Sequence, residues 1–189
     1  MTNALVLIDL QQGITSLPLV HPAARVLANA GRLAQAFRER DLPVVRVRVA
    51  FSPDGGDVLK TPIDSPPPAV TPGPDFATLN PEIGDGPTDI LITKRQWDAF
   101  YGTELDLQLR RRRIETVTYA GISTSIGVES TARHGRELGY AQLFASDAMT
   151  DMVASAHDNA LTVIFPRIGR VLPTEEVVAE LPAGKRAAG

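Results

Sequence analysis

Six short apolar runs alternate with stretches of helical periodicity along this chain, and that alternation constrains the fold more than any other feature. The runs Ala4–Asp9, Pro43–Val49, Asp89–Lys94, Thr116–Ala120, Ala141–Ser146 and Val163–Ile168 are predicted as strands. Between them, Pro22–Arg40 places Val26, Leu27, Ala30, Leu33, Ala34 and Phe37 on one helical face. Further helices are predicted over Thr103–Arg111, from Ser125 or Gly127 to Leu138, over Met152–Leu161 and over Thr174–Leu181. Strands that alternate with helices imply βαβ units and a mostly parallel sheet covered on both faces. With right-handed crossovers this gives an α/β protein, a three-layer α/β/α Rossmann-like sandwich with a six-stranded sheet.

Three of the runs end abruptly in something chemically useful. Ala4-Leu-Val-Leu-Ile8 ends in Asp9, and Asp89-Ile-Leu-Ile-Thr93 ends in Lys94. Thr116-Val-Thr-Tyr-Ala120 ends in the small-residue turn Gly121-Ile-Ser-Thr-Ser-Ile-Gly127. Open parallel sheets bind ligands beyond the carboxyl ends of their strands. An acid, a base and a turn far apart in sequence are therefore expected to meet at one rim. Each has an ordinary structural reading as well: a turn aspartate, a solvated strand-end lysine, a tight loop.

At 189 residues the chain suits one domain, residues 1–189, with a sizeable core. The net charge of -3 gives no reason to expect nucleic acid. The run Arg110-Arg111-Arg112-Arg113 reads as a solvated helix end, where cations complement the helix dipole. The absence of cysteine removes disulfides, thiolate metal sites and cysteine nucleophiles together. No apolar stretch approaches the roughly 20 residues that span a bilayer. A soluble cytoplasmic protein without membrane contact is expected.

Residues 51–87 read differently. Pro53, Gly55-Gly56, Pro62, Pro66-Pro67-Pro68, Pro72, Gly73 and Pro74 remove backbone donors and fix φ, so regular elements are not expected there. A covering loop near the mouth of the second strand is one expectation, and a contact between copies is the other. Residues 182–189 are expected to fray.

Specificity comes from the longer strings around the three ends. Ala4-Leu-Val-Leu-Ile-Asp9-Leu-Gln11, Lys94-Arg-Gln-Trp97-Asp-Ala-Phe100-Tyr-Gly102-Thr103-Glu-Leu105 and Gly121-Ile-Ser-Thr124-Ser-Ile-Gly127-Val-Glu-Ser-Thr131-Ala132 together resemble the isochorismatase-like hydrolase superfamily. The segment Ser146-Asp147-Ala148-Met149-Thr150-Asp151 is similar to its stretch after the fifth strand.

The resemblance implies an aspartate–lysine–cysteine triad that hydrolyses amides through a thioester in most members. The aspartate maps to Asp9, the lysine to Lys94, and the nucleophile's position to Gly127. In this it is similar to the isochorismatase branch, which keeps the acid and the base, has glycine there, and cleaves a vinyl ether without a covalent intermediate. Asp9 is then expected to protonate carbon, Lys94 to neutralise a substrate carboxylate, and the backbone around Gly127 to attract an anion. A substrate that also engages Lys94 is expected to raise the Asp9 pKa more than the empty site does. The family's cis peptide maps to Ile122–Ser123. Gln11, Phe51, Trp97, Phe100, Tyr101, Ile122 and Ser123 are the candidate substrate contacts, with Trp97 and Phe100 preferred among the aromatics. A homo-oligomer, dimer or tetramer, is implied by the same resemblance. No cofactor and no metal are expected.

Two departures matter. Isochorismatases hold substrate carboxylates with a glutamine and an arginine after the second strand, yet between Phe51 and Asn80 only Lys60 is basic and no glutamine occurs. The metal set of nicotinamidases is missing, and His21, His134 and His157 fall in helical or helix-entry contexts that suit surface or packing roles. A small anionic molecule with an ether or enol-ether bond is the expected substrate. The alternatives are a binding protein that has lost its nucleophile, and an amidase using Ser123, Thr124 or Ser125.

Overall fold

A computed structural model of the chain describes residues 2–65 and 73–182. Strands β1 (Asn3–Ile8), β2 (Val44–Val49), β3 (Ile90–Lys94), β4 (Thr116–Ile122), β5 (Ala141–Thr150) and β6 (Arg170–Leu172) form one sheet in the order β3-β2-β1-β4-β5-β6. Every neighbouring pair is parallel. All six residues of β1 are buried, as expected of a continuous apolar run covered on both faces.

Helix α1 is the single turn Gln12–Thr15, and α2 (Ala23–Arg38) joins β1 to β2. Its predicted apolar face is buried, and it begins directly after Pro22. With α7 (Thr174–Glu180) it covers one side of the sheet, meeting Leu5, Leu7, Val44 and Ala145. The other side carries α3 (Leu105–Arg111), α4 (Glu129–Glu137), α5 (Ala154–Asn159) and α6 (Phe165–Ile168). There Leu105, Leu109, Ala132 and Phe165 pack with Val6, Ile8, Val47 and Ile92. Two layers of helix thus sandwich the sheet. Strand order runs outward from β1 to β3 on one side and from β4 to β6 on the other, so the topological switch point lies at the carboxyl ends of β1 and β4.

One predicted strand is a helix. Residues 160–164 form a π-helical turn running into α6, and the last strand is the short Arg170–Leu172 instead. The run Val163-Ile-Phe165 is rich in β-formers, but Ala160, Leu161, Ile164, Phe165 and Ile168 recur at helical spacing and pack on the core. Val163, by contrast, is 42% exposed.

The long connection from β2 to β3 holds one 3₁₀ turn, Pro81–Ile83, against α2. Its described part straps the end of β1: Gln12 N–H donates to Thr78 O (2.8 Å) and Asn80 N–H to Leu10 O (3.0 Å). Nearer the β2 mouth, Asp57 accepts from the Ser52 backbone and from Arg95 Nε. The Pro66–Pro68 run, Pro72 and the tail beyond Pro182 lie outside the described residues.

Candidate active site

Asp9 stands one residue past β1, at the switch point, with its N–H donated to Val47 O (2.9 Å). Its φ of 51° turns the chain out of the sheet, a left-handed conformation that aspartate tolerates better than most residues. Lys94 closes β3, beyond the intervening β2, and pairs in register with Val49. Its side chain reaches back across β2, and Nζ lies 2.7 Å from Asp9 Oδ2. Nζ also donates to Trp97 O at 2.7 Å. Two of the three ammonium protons therefore have protein acceptors. Both side chains are nearly closed off from solvent, at 8% and 2% exposure. Asp9 Oδ1 is buried and has no hydrogen-bond partner.

The third component arrives from β4. Gly121, at φ 137°, lies where a Cβ would strike the Ile8 backbone, which lets β1 and β4 approach closely. The Ile122–Ser123 peptide is cis, and a π-helical turn, Thr124–Val128, follows and leads into α4. Gly127 is buried in this turn. A Cβ there would lie 3.2 Å from Asp9 Oδ2, 3.3 Å from Lys94 Nζ and 3.1 Å from Ile8 Cγ2. Position 127 therefore faces both charged groups at once, at a spacing where any side chain would require its neighbours to give way.

Burial raises the Asp9 carboxyl above the ordinary carboxylate range, and the Lys94 ammonium opposes this without cancelling it.

The surrounding polar groups hold the three parts in place. Gln11 is fully buried: Oε1 accepts Val49 N–H (2.8 Å), while Nε2 donates to Val49 O (2.9 Å) and Phe76 O (2.8 Å). Its amide ties β1 to β2 and the long loop and has no donor left for a substrate, so the expected contact is replaced by a strut. Asp151 Oδ2 accepts both the N–H and the hydroxyl of Ser125, at 2.7 and 2.9 Å. Thr124 Oγ1 donates to Thr150 O (3.0 Å) and so accepts from His157 Nδ1 (2.8 Å). The His157 ring in turn lies tilted against that of His21, with centroids 4.9 Å apart. Among the described residues no three of His, Cys, Asp or Glu gather as a metal cage.

The expected aromatic contacts divide. Phe100 is buried in the core and stacks on Tyr140, so its ring belongs to packing and not to the gap. Trp97 and Tyr101 are 62% and 69% exposed on the loop after Lys94, and Trp97 reaches the site through its carbonyl. Phe51 is half-buried at the end of β2. Ile122 is a core residue. Ser123 is buried, and its carbonyl accepts the N–H groups of Ile126 and Val128. Of the three histidines, His21 and His157 meet, and His134 Nδ1 lies 2.6 Å from Asp98 Oδ2. Thr131, Asp151 and His157 were missed as parts of the site. The sequence marked Thr131 and Asp151 only as members of motif strings, and partners 26 to 33 residues away leave no local pattern.

A six-stranded parallel sheet with helices on both faces makes this an α/β protein with its candidate site at the switch point, and comparison with known proteins gives the family. Residues 3–176 match the isochorismatase domain. The isochorismatase family protein YecD of Escherichia coli O157:H7 is 48% identical over 183 residues, covering 95% of this chain and 96% of its own. A solved isochorismatase family protein from Burkholderia thailandensis superposes with a TM-score of 0.90 at 45% identity, covering 94% of each chain. Maleamate amidohydrolase of Pseudomonas putida is 27% identical over 187 residues, 94% of this chain and 86% of that one. The chain belongs to the isochorismatase family of hydrolases.

Proposed function

We propose that the protein cleaves a vinyl ether of a small anionic molecule by general acid catalysis, with Gly127 standing where relatives carry a nucleophile. The observation that carries this reading is the glycine at position 127, which faces a buried acid and a buried ammonium and supplies no side-chain nucleophile of its own. Asp9 Oδ1–H transfers its proton to the methylene carbon. The ether carbon becomes an oxocarbenium ion, and water adds to it. The resulting hemiketal expels the alcohol and leaves a carbonyl, and the proton lost by the added water returns to Asp9. Lys94 stabilises the carboxylate formed at the first step, and its remaining N–H is free for a substrate carboxylate. The raised Asp9 pKa supports the role, because a carboxyl at about 3.9 would cost roughly 4 kcal/mol to protonate at pH 7.

Likeness to maleamate amidohydrolase makes amide cleavage the second reading. The neighbouring hydroxyls weigh against it, since Thr124 donates to Thr150 O and Ser125 to Asp151. The test is a panel of vinyl ethers, amides and esters run on wild type and Asp9→Ala. Vinyl-ether turnover that vanishes in the variant is the expected result. Amide turnover would overturn the proposal, and binding of the same compounds with no turnover would mark a non-catalytic binding protein.

A further inference from the structure

The acid, the ammonium and the glycine come from three elements, and a closed ring of contacts runs through all of them. Gly127 faces Asp9 and Lys94, and Lys94 is held by Trp97 O on the loop after β3. Two residues on, the buried Ala99 N–H donates to Thr131 Oγ1 (3.0 Å). Thr131 lies one turn into α4, is fully buried, and donates the same hydroxyl to Gly127 O (2.7 Å). A helical threonine often bonds back four residues, which satisfies it locally. Here the oxygen also receives a donor from 32 residues away, so the bond joins the lysine loop to the glycine turn. His134, on the same helix, adds an outer strut to Asp98, whose carboxylate also accepts Phe100 N–H and Tyr101 N–H. That outer pair is partly solvated, whereas the Thr131 link is dry.

We propose that Thr131 is a positioning residue, fixing the lysine-bearing loop against the Gly127 turn so that the Asp9–Lys94 pair keeps its 2.7 Å contact and stays closed to water. It touches no substrate; it acts through Lys94 and Gly127. The proposal rests on the reading of Asp9 and Lys94 as the catalytic pair, but its main test needs no turnover.

The test follows the carboxyl ¹³C titration of Asp9 in aspartate-labelled protein, the resonance being assigned by its loss in Asp9→Asn. Thr131→Ser keeps the hydroxyl, and Thr131→Val removes it at constant volume. Val177→Ala, in the core on the opposite side of the sheet, is the control for general destabilisation. Burial is the largest influence on Asp9, so water admitted by a loosened ring lowers its midpoint toward the ordinary carboxylate value. The expected result is a lowered midpoint in Thr131→Val, with Thr131→Ser and Val177→Ala at the wild-type value. An unmoved midpoint in Thr131→Val, or an equal shift in Val177→Ala, overturns the proposal. Should Thr131→Val fail to fold, Thr131→Ala carries the same expectation. On any vinyl ether the protein turns over, Thr131→Val is further expected to lower kcat by roughly ten- to a hundredfold with KM retained. A shifted midpoint in a protein that cleaves nothing would refute the proposed function and leave this role of Thr131 standing.

Discussion

At the scale of single residues, Asp9 is governed by two opposed influences, and burial wins. A carboxyl raised in the folded state binds its proton more tightly there than in the unfolded chain. Its contribution to stability is therefore full below about pH 3.9 and is lost as pH rises through the folded value. Lys94 limits that loss by pairing with the carboxylate at 2.7 Å. Lys94→Met removes the counter-charge and lifts the Asp9 pKa further. We expect roughly 3–5 kcal/mol of destabilisation at pH 7, shrinking steadily toward pH 4, in urea unfolding across that range. A variant whose deficit stays constant with pH would show that the ion pair does not control Asp9. Both residues were legible in the sequence, because each interrupts an apolar run at a strand end. Gln11 was legible as a motif residue only; that its amide faces backbone rather than ligand depends on strands meeting from 38 and 65 residues away.

At the scale of elements, the segment from Ala160 to Ile168 separates the two periodicities that short apolar runs leave ambiguous. A strand over Val163–Ile168 would place Val163 and Phe165 on one face, whereas the helix buries Phe165 and exposes Val163. Val163→Lys is accordingly expected to change stability by no more than about 0.5 kcal/mol. Phe165→Ala, which empties a ring stacked at 4.0 Å on Phe144, is expected to cost roughly 3–5 kcal/mol. Equal penalties for the two in chemical denaturation would contradict the helical assignment. Most other elements could be read directly. The apolar face of α2 and the strand ends at Asp9 and Lys94 announce themselves by local pattern. The extension of β5 to Thr150 could not be read so, because Ser146-Asp147 looks like a strand's end and the strand resumes pairing with β4 only at Met149, after a register shift.

At the scale of the whole molecule, two buried titratable groups pull stability in opposite directions with pH. His157 is held below the usual imidazole value by burial first and by His21 second. Its contribution is present above about pH 6.5 and is lost as pH falls through its folded value, while that of Asp9 grows over the more acid range. His157→Asn keeps a donor for Thr124 without a proton to gain, so its stability is expected to fall less than wild type's between pH 7 and pH 5; an unchanged slope in thermal unfolding would contradict this. The same sheet that buries these groups brings β1, β3 and β4 to one edge, where the proposed reaction has Asp9 deliver a proton to carbon beside a glycine in place of a nucleophile. The most direct test is turnover of an enolpyruvyl ether in D₂O, with the carbonyl product analysed by mass and NMR before background exchange. One solvent deuterium per molecule on the former methylene carbon in wild type, with no turnover in Asp9→Ala, is the predicted result. Product free of solvent deuterium, or turnover undiminished in Asp9→Ala, would contradict the account.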